Sequence, residues 1–289
     1  MIILIISAFY VFLWSTKKQE TIKISKQNIV IGDSNTRWSV NDSILSNYAN
    51  YSTGGETYLF AYTKLRLLDK DNKIDTLLLS FNPHNTVNNM WWDDSTGSSI
   101  DNRMPMFFTD FTAEEHWDMF KEIPKNYLKS LMKIGKSQIN PLFVIQNKPE
   151  DNMFRFGSYQ PEKQNETMFK AVPYEYKKPQ KTEIELKYLD KIVAECKRKN
   201  IHLILLQTPK NYLRKDYKNY NHQLFYDIYY SKYHDVDFLD FSKLELPKHA
   251  YWDVSHVDII GAEYFSNFLK NQGVKNLLET QYNRKYDHR

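Results

Sequence analysis

Apolar positions along this chain follow two rhythms, one of period two and one of helical period. Residues 28–33, NIVIGD, form a β-branched run stopped by glycine, which predicts a short buried strand. IDTLLLSFN (74–82) and IHLILLQTP (201–209) are further apolar runs of strand length, each closed by a proline-containing dipeptide. VDFLDFS (236–242) is a shorter one. Helical spacing fills the intervals. YLFAYTKLRLLDK follows the Gly-rich turn NYSTGGET, with Glu56 or Thr57 near its start. Residues 181–200 carry Ile184, Leu186, Leu189, Ile192 and Val193 on an amphipathic pattern. NHQLFYDIYYSKY is a helix candidate, and residues 257–273 predict a last helix closed by Gly273. SVNDSILSNYA (39–49), with Val40, Ile44 and Leu45, reads as a short helix. Alternation of this kind predicts an α/β fold with a mainly parallel sheet.

Between residues 83 and 180 the alternation fails. NPHNTVNNMWWDDSTGSSIDNRMPMFF reads as loop, TAEEHWDMFKEIPKNYLKSLMK as two helices, and the stretch beyond is polar and proline-containing. Such a long connection in a compact domain usually carries function or mobility. The organisation expected is therefore an N-terminal apolar segment and tether over residues 1–26, then an α/β domain over 27–280 with an insertion at about 83–180. The YNRKYDHR tail is expected to be disordered.

Residues 1–14, MIILIISAFYVFLW, are uncharged and apolar, then give way to STKKQE. A full membrane span needs about 20 apolar residues. Three readings compete: an anchor, an export signal, or an element buried in the fold. A membrane anchor or export signal is favoured, which predicts an extracytoplasmic, membrane-associated protein. Charge adds little: 39 Lys plus Arg oppose 35 Asp plus Glu, with no basic block of nucleic-acid-binding size. Aromatic residues make up 15% of the chain, a content that suits either a ring-rich core or sugar-binding surfaces. The single cysteine, Cys196, excludes an internal disulfide and reads as structural. No metal-ligand spacing is present, and neither metal nor cofactor is expected.

Ligands of open parallel sheets bind beyond the carboxyl ends of the strands. The polar residues that follow the predicted strands are therefore the candidate chemistry. Asp33, Ser34 and Asn35 follow the first, Gly54 and Gly55 the next turn, and Asn82 and His84 the third segment. Thr208 follows the fourth, and Asp253 and His256 precede the last helix. Acyl transfer needs a hydroxyl nucleophile, an adjacent base, an orienting carboxylate and donors for the oxyanion. Ser34, His256 and Asp253 fit the first three roles. The Ser34 and Gly55 N–H groups and the Asn82 amide are candidates for the last. Helix capping is the competing explanation for Ser34 and for the Asp253–His256 pair.

Gly32-Asp33-Ser34 resembles the opening block of SGNH (GDSL-type) hydrolases. Gly55-Glu56-Thr57 is similar to their second block, with Gly54 the alternative glycine. Asn82 resembles the third block, with Asn85 a rival, and Asp253 to His256 resembles the Asp-x-x-His block. The resemblance implies a flavodoxin-like three-layer fold, a Ser34 nucleophile, a His256 base and Asp253 as its orienter. It further implies an esterase or O-acyltransferase of exported polysaccharides, working on an acylated carbohydrate or small ester beside a membrane-embedded acyl-transfer partner. Asn35 and the insertion's aromatics, Trp91, Trp92, Phe107, Phe108 and Trp117, are candidates for sugar contact, with a hydrophobic lid the alternative for the rings. A glycan-binding protein retaining the fold is the non-catalytic alternative.

Overall fold

The computed structural model describes residues 22–87, 92, 99–138, 156–161, 163, 182–211, 220–247, 249–253 and 256–286. The predicted anchor at 1–14 and Trp91 lie outside them. Five strands form one parallel sheet: β1 (Asn28–Ile31), β2 (Tyr48–Asn50), β3 (Thr76–Ser80), β4 (His202–Gln207) and β5 (Asp237–Asp240). Their order is β2-β1-β3-β4-β5, which is the flavodoxin-like arrangement. The order reverses between β1 and β3, so the crevice beyond those two strand ends is the natural ligand position.

The helices are α1 (Ser34–Ser39), α2 (Tyr58–Lys70), a single turn α3 (Pro83–Thr86), α4 (Ser99–Phe107), α5 (Ala113–Glu122), α6 (Pro124–Gln138), α7 (Glu183–Lys199), α8 (Tyr220–Ile228), α9 (Ile259–Gln272) and α10 (Val274–Tyr286). Strand alternation sends side chains to both faces of the sheet. Ile29, Ile31, Leu77, Leu79, Leu203 and Leu205 pack with α2, α7 and the α4–α6 region. Val30, Leu78, Ile204, Leu206 and Leu239 pack with Phe265 and Leu269 of α9 and Leu277 of α10. Both faces are covered, and this explains why the strands read as unbroken apolar runs.

Three expectations are corrected. The helix near residues 39–49 is displaced: the helical turns are Ser34–Ser39, and the stretch ends instead in β2. There Asn50 Nδ2 donates to the Thr36 and Val40 carbonyls, tying the edge strand to α1. Residues 99–107, expected to be loop, are helical despite Pro105. The tail is helical as far as Tyr286, because α10 packs Leu277 against the sheet. The far end of the tether is docked: Asn72 donates to the Ile22 carbonyl and accepts from the Ile24 N–H.

An aromatic cluster surrounds Phe81, which immediately follows β3. Its ring lies 4.6 Å from Phe225 and 5.4 Å from Phe238, and the Tyr229 and Tyr233 rings complete its surroundings. Phe81 is fully buried and precedes the site residue Asn82. Truncating such a ring costs about 3–5 kcal/mol. Phe81→Ala should lower the midpoint of urea unfolding accordingly, and an unchanged midpoint would show that the cluster does not hold the end of β3.

Candidate active site

The chain leaves β1 through Gly32. A β-carbon there would lie 2.2 Å from Thr36 Oγ1 and 2.3 Å from Ser80 Cβ, so only glycine fits between the ends of β1 and β3. Asp33 follows as the N-cap of α1, its carboxylate accepting from the Asn35 N–H at 3.0 Å. Ser34 is thus not the cap but the first residue of the helix. Its N–H is among those that a first helical turn leaves without an intrahelical acceptor.

Asp33 is buried and collects further donors from neighbouring strand ends. Asn82 Nδ2 donates at 2.7 Å, Ser80 Oγ at 3.2 Å and Asn35 Nδ2 at 3.2 Å. Burial pushes the carboxyl pKa up. The charges of Lys210 and His84 and the hydrogen bonds from Asn82 and Asn35 outweigh burial and hold it below the ordinary value. Lys210, in the loop after β4, also donates to Asn35 Oδ1 at 3.1 Å.

His256 reaches Ser34 from the far end of the sequence. Ser34 Oγ and His256 Nε2 are 2.9 Å apart across 222 residues. His256 Nδ1 lies 2.9 and 3.0 Å from the two carboxylate oxygens of Asp253, which fixes the proton on Nδ1 and leaves Nε2 as acceptor. Asp253 also accepts from the His256 backbone N–H at 2.8 Å. The side chains of His256 and Asp253 are 17% and 16% exposed, so the pair is shielded yet open to one side. The capping explanation for this pair does not hold: Asp258 caps α9, accepting from the Gly261 N–H. Trp38, one turn after Ser34, sets its indole at 85° to the imidazole with centroids 4.1 Å apart. Trp252 packs against Trp38, and Asn211 donates to the Asp253 carbonyl.

One of the donors assigned to the oxyanion, Asn82, is engaged elsewhere. Both Asn82 amide protons are engaged, with Asp33 and with Ser80 Oγ at 3.1 Å. Its Oδ1 caps α3 by accepting from the His84 N–H. Asn82 is therefore a strut between strand ends and not a free donor. Its rival Asn85 is also buried, and its Nδ2 donates to the Glu56 carbonyl. Gly54 lies against the serine: a β-carbon on it would be 4.0 Å from Ser34 Cβ. Gly55 has φ 66°, the left-handed conformation that turns the loop.

That loop rests on buried ions. Lys64 Nζ lies 2.6 Å from Glu56 Oε2 and donates to Thr53 Oγ1 and to the Tyr51 carbonyl. Arg103 of α4 donates to the Gly54 carbonyl at 2.6 Å and approaches Glu56 at 3.3 Å. Burial pushes the Lys64 pKa down to about 8, with Glu56 opposing the fall. Beneath the loop, Glu185 of α7 accepts from the Tyr58 N–H and the Trp92 indole N–H, each at 2.6 Å. Burial pushes Glu185 up to about 8 against both hydrogen bonds, and Glu56 adds to the rise.

Of the described residues expected to contact sugar, Asn35, Trp92, Phe107 and Phe108 are buried and Trp117 is exposed. Asn35 is buried and holds Asp33 and Lys210. Trp92 is 4% exposed and bonded to Glu185, while Phe107 and Phe108 lie in the core. Packing claims these rings because burying their large apolar area outweighs presenting it to water. Trp117 is exposed. Among the other histidines, His202 pairs with Asp237 at the opposite, amino end of the strands, and His116 is half-buried beside Tyr127. Sequence reasoning stopped at Thr208 and so missed Lys210 and Asn211 two and three residues on. It also passed over Trp38 and Trp252, although both flank the predicted motifs.

One family model, which carries no description, matches residues 176–278. None of the curated proteins matches the chain. Among solved structures, a proposed acylhydrolase from Bacteroides fragilis is 11% identical, with a TM-score of 0.41 over 93% of this chain and 95% of that one. A protein described as a proposed platelet activating factor from Streptococcus pneumonia is 14% identical, with a TM-score of 0.36 over 92% of this chain and 90% of that one.

Two titrations follow from these contacts. Asp33 has a lowered pKa, so its contribution to stability is present above the ordinary carboxylate range and is lost as pH falls through the folded value. Asp33→Asn turns an amide toward donors and removes the buried charge that they and Lys210 stabilise, at a cost of about 3–5 kcal/mol near neutrality. Urea unfolding across acid pH should show that deficit shrinking as pH falls, and equal stability at neutral pH would overturn the assignment. Glu185 has the opposite sign. Its pKa is raised, so its contribution is complete below its ordinary value and is lost as pH rises through about 8. Glu185→Gln should flatten the decline in stability between mildly acidic pH and pH 8, whatever its absolute midpoint.

Proposed function

We propose that this chain is a serine acyl-ester hydrolase or O-acyltransferase of the SGNH type. The observation that carries the reading is the 2.9 Å approach of Ser34 Oγ to His256 Nε2, with Asp253 on the other ring nitrogen. In this mechanism His256 takes the hydroxyl proton as Ser34 Oγ attacks the ester carbonyl. Asp253 holds the imidazole tautomer and stabilises the imidazolium that forms. The Ser34 N–H and a backbone N–H of the Gly54–Gly55 turn receive the oxyanion, which collapses as His256 protonates the departing alcohol. Water or a second hydroxyl, deprotonated in turn by His256, then resolves the acyl-serine. Hydrolysis and transfer share every step except the identity of that hydroxyl.

The substrate proposed is an acylated, O-acetylated carbohydrate outside the cytoplasm, met by a protein held at the membrane through its apolar N-terminal stretch. A membrane-embedded acyl-transfer protein would be its partner. Support for this finer reading comes from the sequence: the uncharged run 1–14 and the Gly-Asp-Ser and Asp-x-x-His blocks. The binding-protein alternative would be favoured by a wide Ser34–His256 separation, which is not what the distance gives.

A fluorophosphonate probe should label the wild type and leave Ser34→Ala unlabelled. His256→Ala should lower turnover of a simple acetyl ester by ~10²–10⁴-fold, the usual worth of a general base. Equal labelling of wild type and Ser34→Ala would sink the assignment.

A further inference from the structure

We infer that Trp38 is a positioning residue for the base: its indole confines the His256 imidazole to the orientation that meets Ser34. Trp38 has this role only if His256 is the base proposed above, and it stands outside the triad itself.

Asp253 approaches one edge of the imidazole, with its two oxygens 2.9 and 3.0 Å from Nδ1. The terminal torsion of a histidine side chain is broad. A contact along one edge fixes the direction of Nδ1 and leaves the ring plane to its neighbours. The other ties in the base's loop are to backbone. Trp252 N–H donates to the His256 carbonyl, His256 N–H to Asp253, and Asn211 to the Asp253 carbonyl, while Tyr251 and Val257 form an antiparallel bridge. Trp38 supplies the contact to the ring itself, 4.1 Å between centroids at 85°. At that separation the two rings touch, so a swing of the imidazole about its Nδ1 edge runs into the indole.

Two features tie this contact to the nucleophile. Ser34 and Trp38 are four residues apart on α1, so they share one face of one helix. The element that carries the hydroxyl thus also carries the surface against which the base rests. Trp252, the residue before Asp253, then packs on Trp38 at 5.0 Å and lies 5.9 Å from the imidazole. One ring from the nucleophile's helix sits with two from the base's loop. Ring contact rather than hydrogen bonding sets Trp38 in place, since its buried indole N–H has no acceptor among the described residues.

The experiment is a double-mutant cycle on turnover of p-nitrophenyl acetate by the full chain: wild type, Trp38→Ala, His256→Ala and the double variant. Trp38→Ala should lower kcat by ~10–100-fold, the scale of loss that about 1 Å of misplacement brings, with KM within about twofold. Because Trp38 acts through His256, adding Trp38→Ala to His256→Ala should lower kcat no further. Trp38→Phe, which restores a ring, should recover most of the loss, whereas Trp38→Leu, apolar but without a ring, should not. These two variants decide the matter if urea unfolding shows that Trp38→Ala does not fold. Losses that multiply in the double variant overturn the inference, as does equal turnover by the Phe and Leu variants. A wild-type kcat in Trp38→Ala with KM raised alone would make Trp38 a substrate contact instead. Full activity in His256→Ala would overturn the serine–histidine reading itself, and the role of Trp38 with it.

Discussion

The carboxylate of Asp33 is the constraint on which the site's geometry hangs. It is buried at the end of β1, where an unpaired charge would be strongly unfavourable. Donors from α1, from Ser80 and from Asn82 surround it, and Lys210 stands nearby through Asn35. These partners come from the ends of β1, β3 and β4. One buried charge therefore ties together three strand termini and the start of α1, and Ser34 takes its position from that tie. Gly32 makes the crossing possible by leaving no β-carbon between Thr36 and Ser80.

A second buried ionic group plays the same part for the neighbouring loop. Lys64, Glu56 and Arg103 converge beneath Gly54. Buried ion pairs often stabilise no more than apolar packing of equal volume, but breaking one is costly because it strands its partner. Their effect here is on position. Arg103 holds the Gly54 carbonyl, and the turn is kept against Ser34. Glu185, with no buried cation in contact among the described residues, is instead held by two N–H donors and stays protonated to about pH 8.

The parts of the fold that were legible have strong local signals. Apolar runs such as TLLLS and HLILLQ can hardly be anything but covered strands, and the spacing in 183–199 leaves one face to bury. Residues 39–49 misled because Val40, Ile44 and Leu45 satisfy a helical spacing while their partners are tertiary. Val40 and Leu45 pack under the sheet, and Asn50 draws the segment into the edge strand. Asn82 misled for a related reason. Its type suits an oxyanion donor, but a side chain with two donors and one acceptor goes to whichever partners the strand ends supply.

What the sequence determined by itself was the alternation that makes a parallel sheet, and the residue types, Ser34, Asp253 and His256, able to meet at its carboxyl edge. Local periodicity and the rule that chemistry gathers at strand ends are enough for that. Tertiary structure alone decided which candidates point into the crevice and which hold it up. Asn35, Asn82 and Trp92 became supports because buried polar atoms must find partners and large rings find more contact inside than out. Lys210, Trp38 and Asn211 joined the site because the strand order sets β1 and β4 on either side of β3, a neighbourhood that no local pattern encodes.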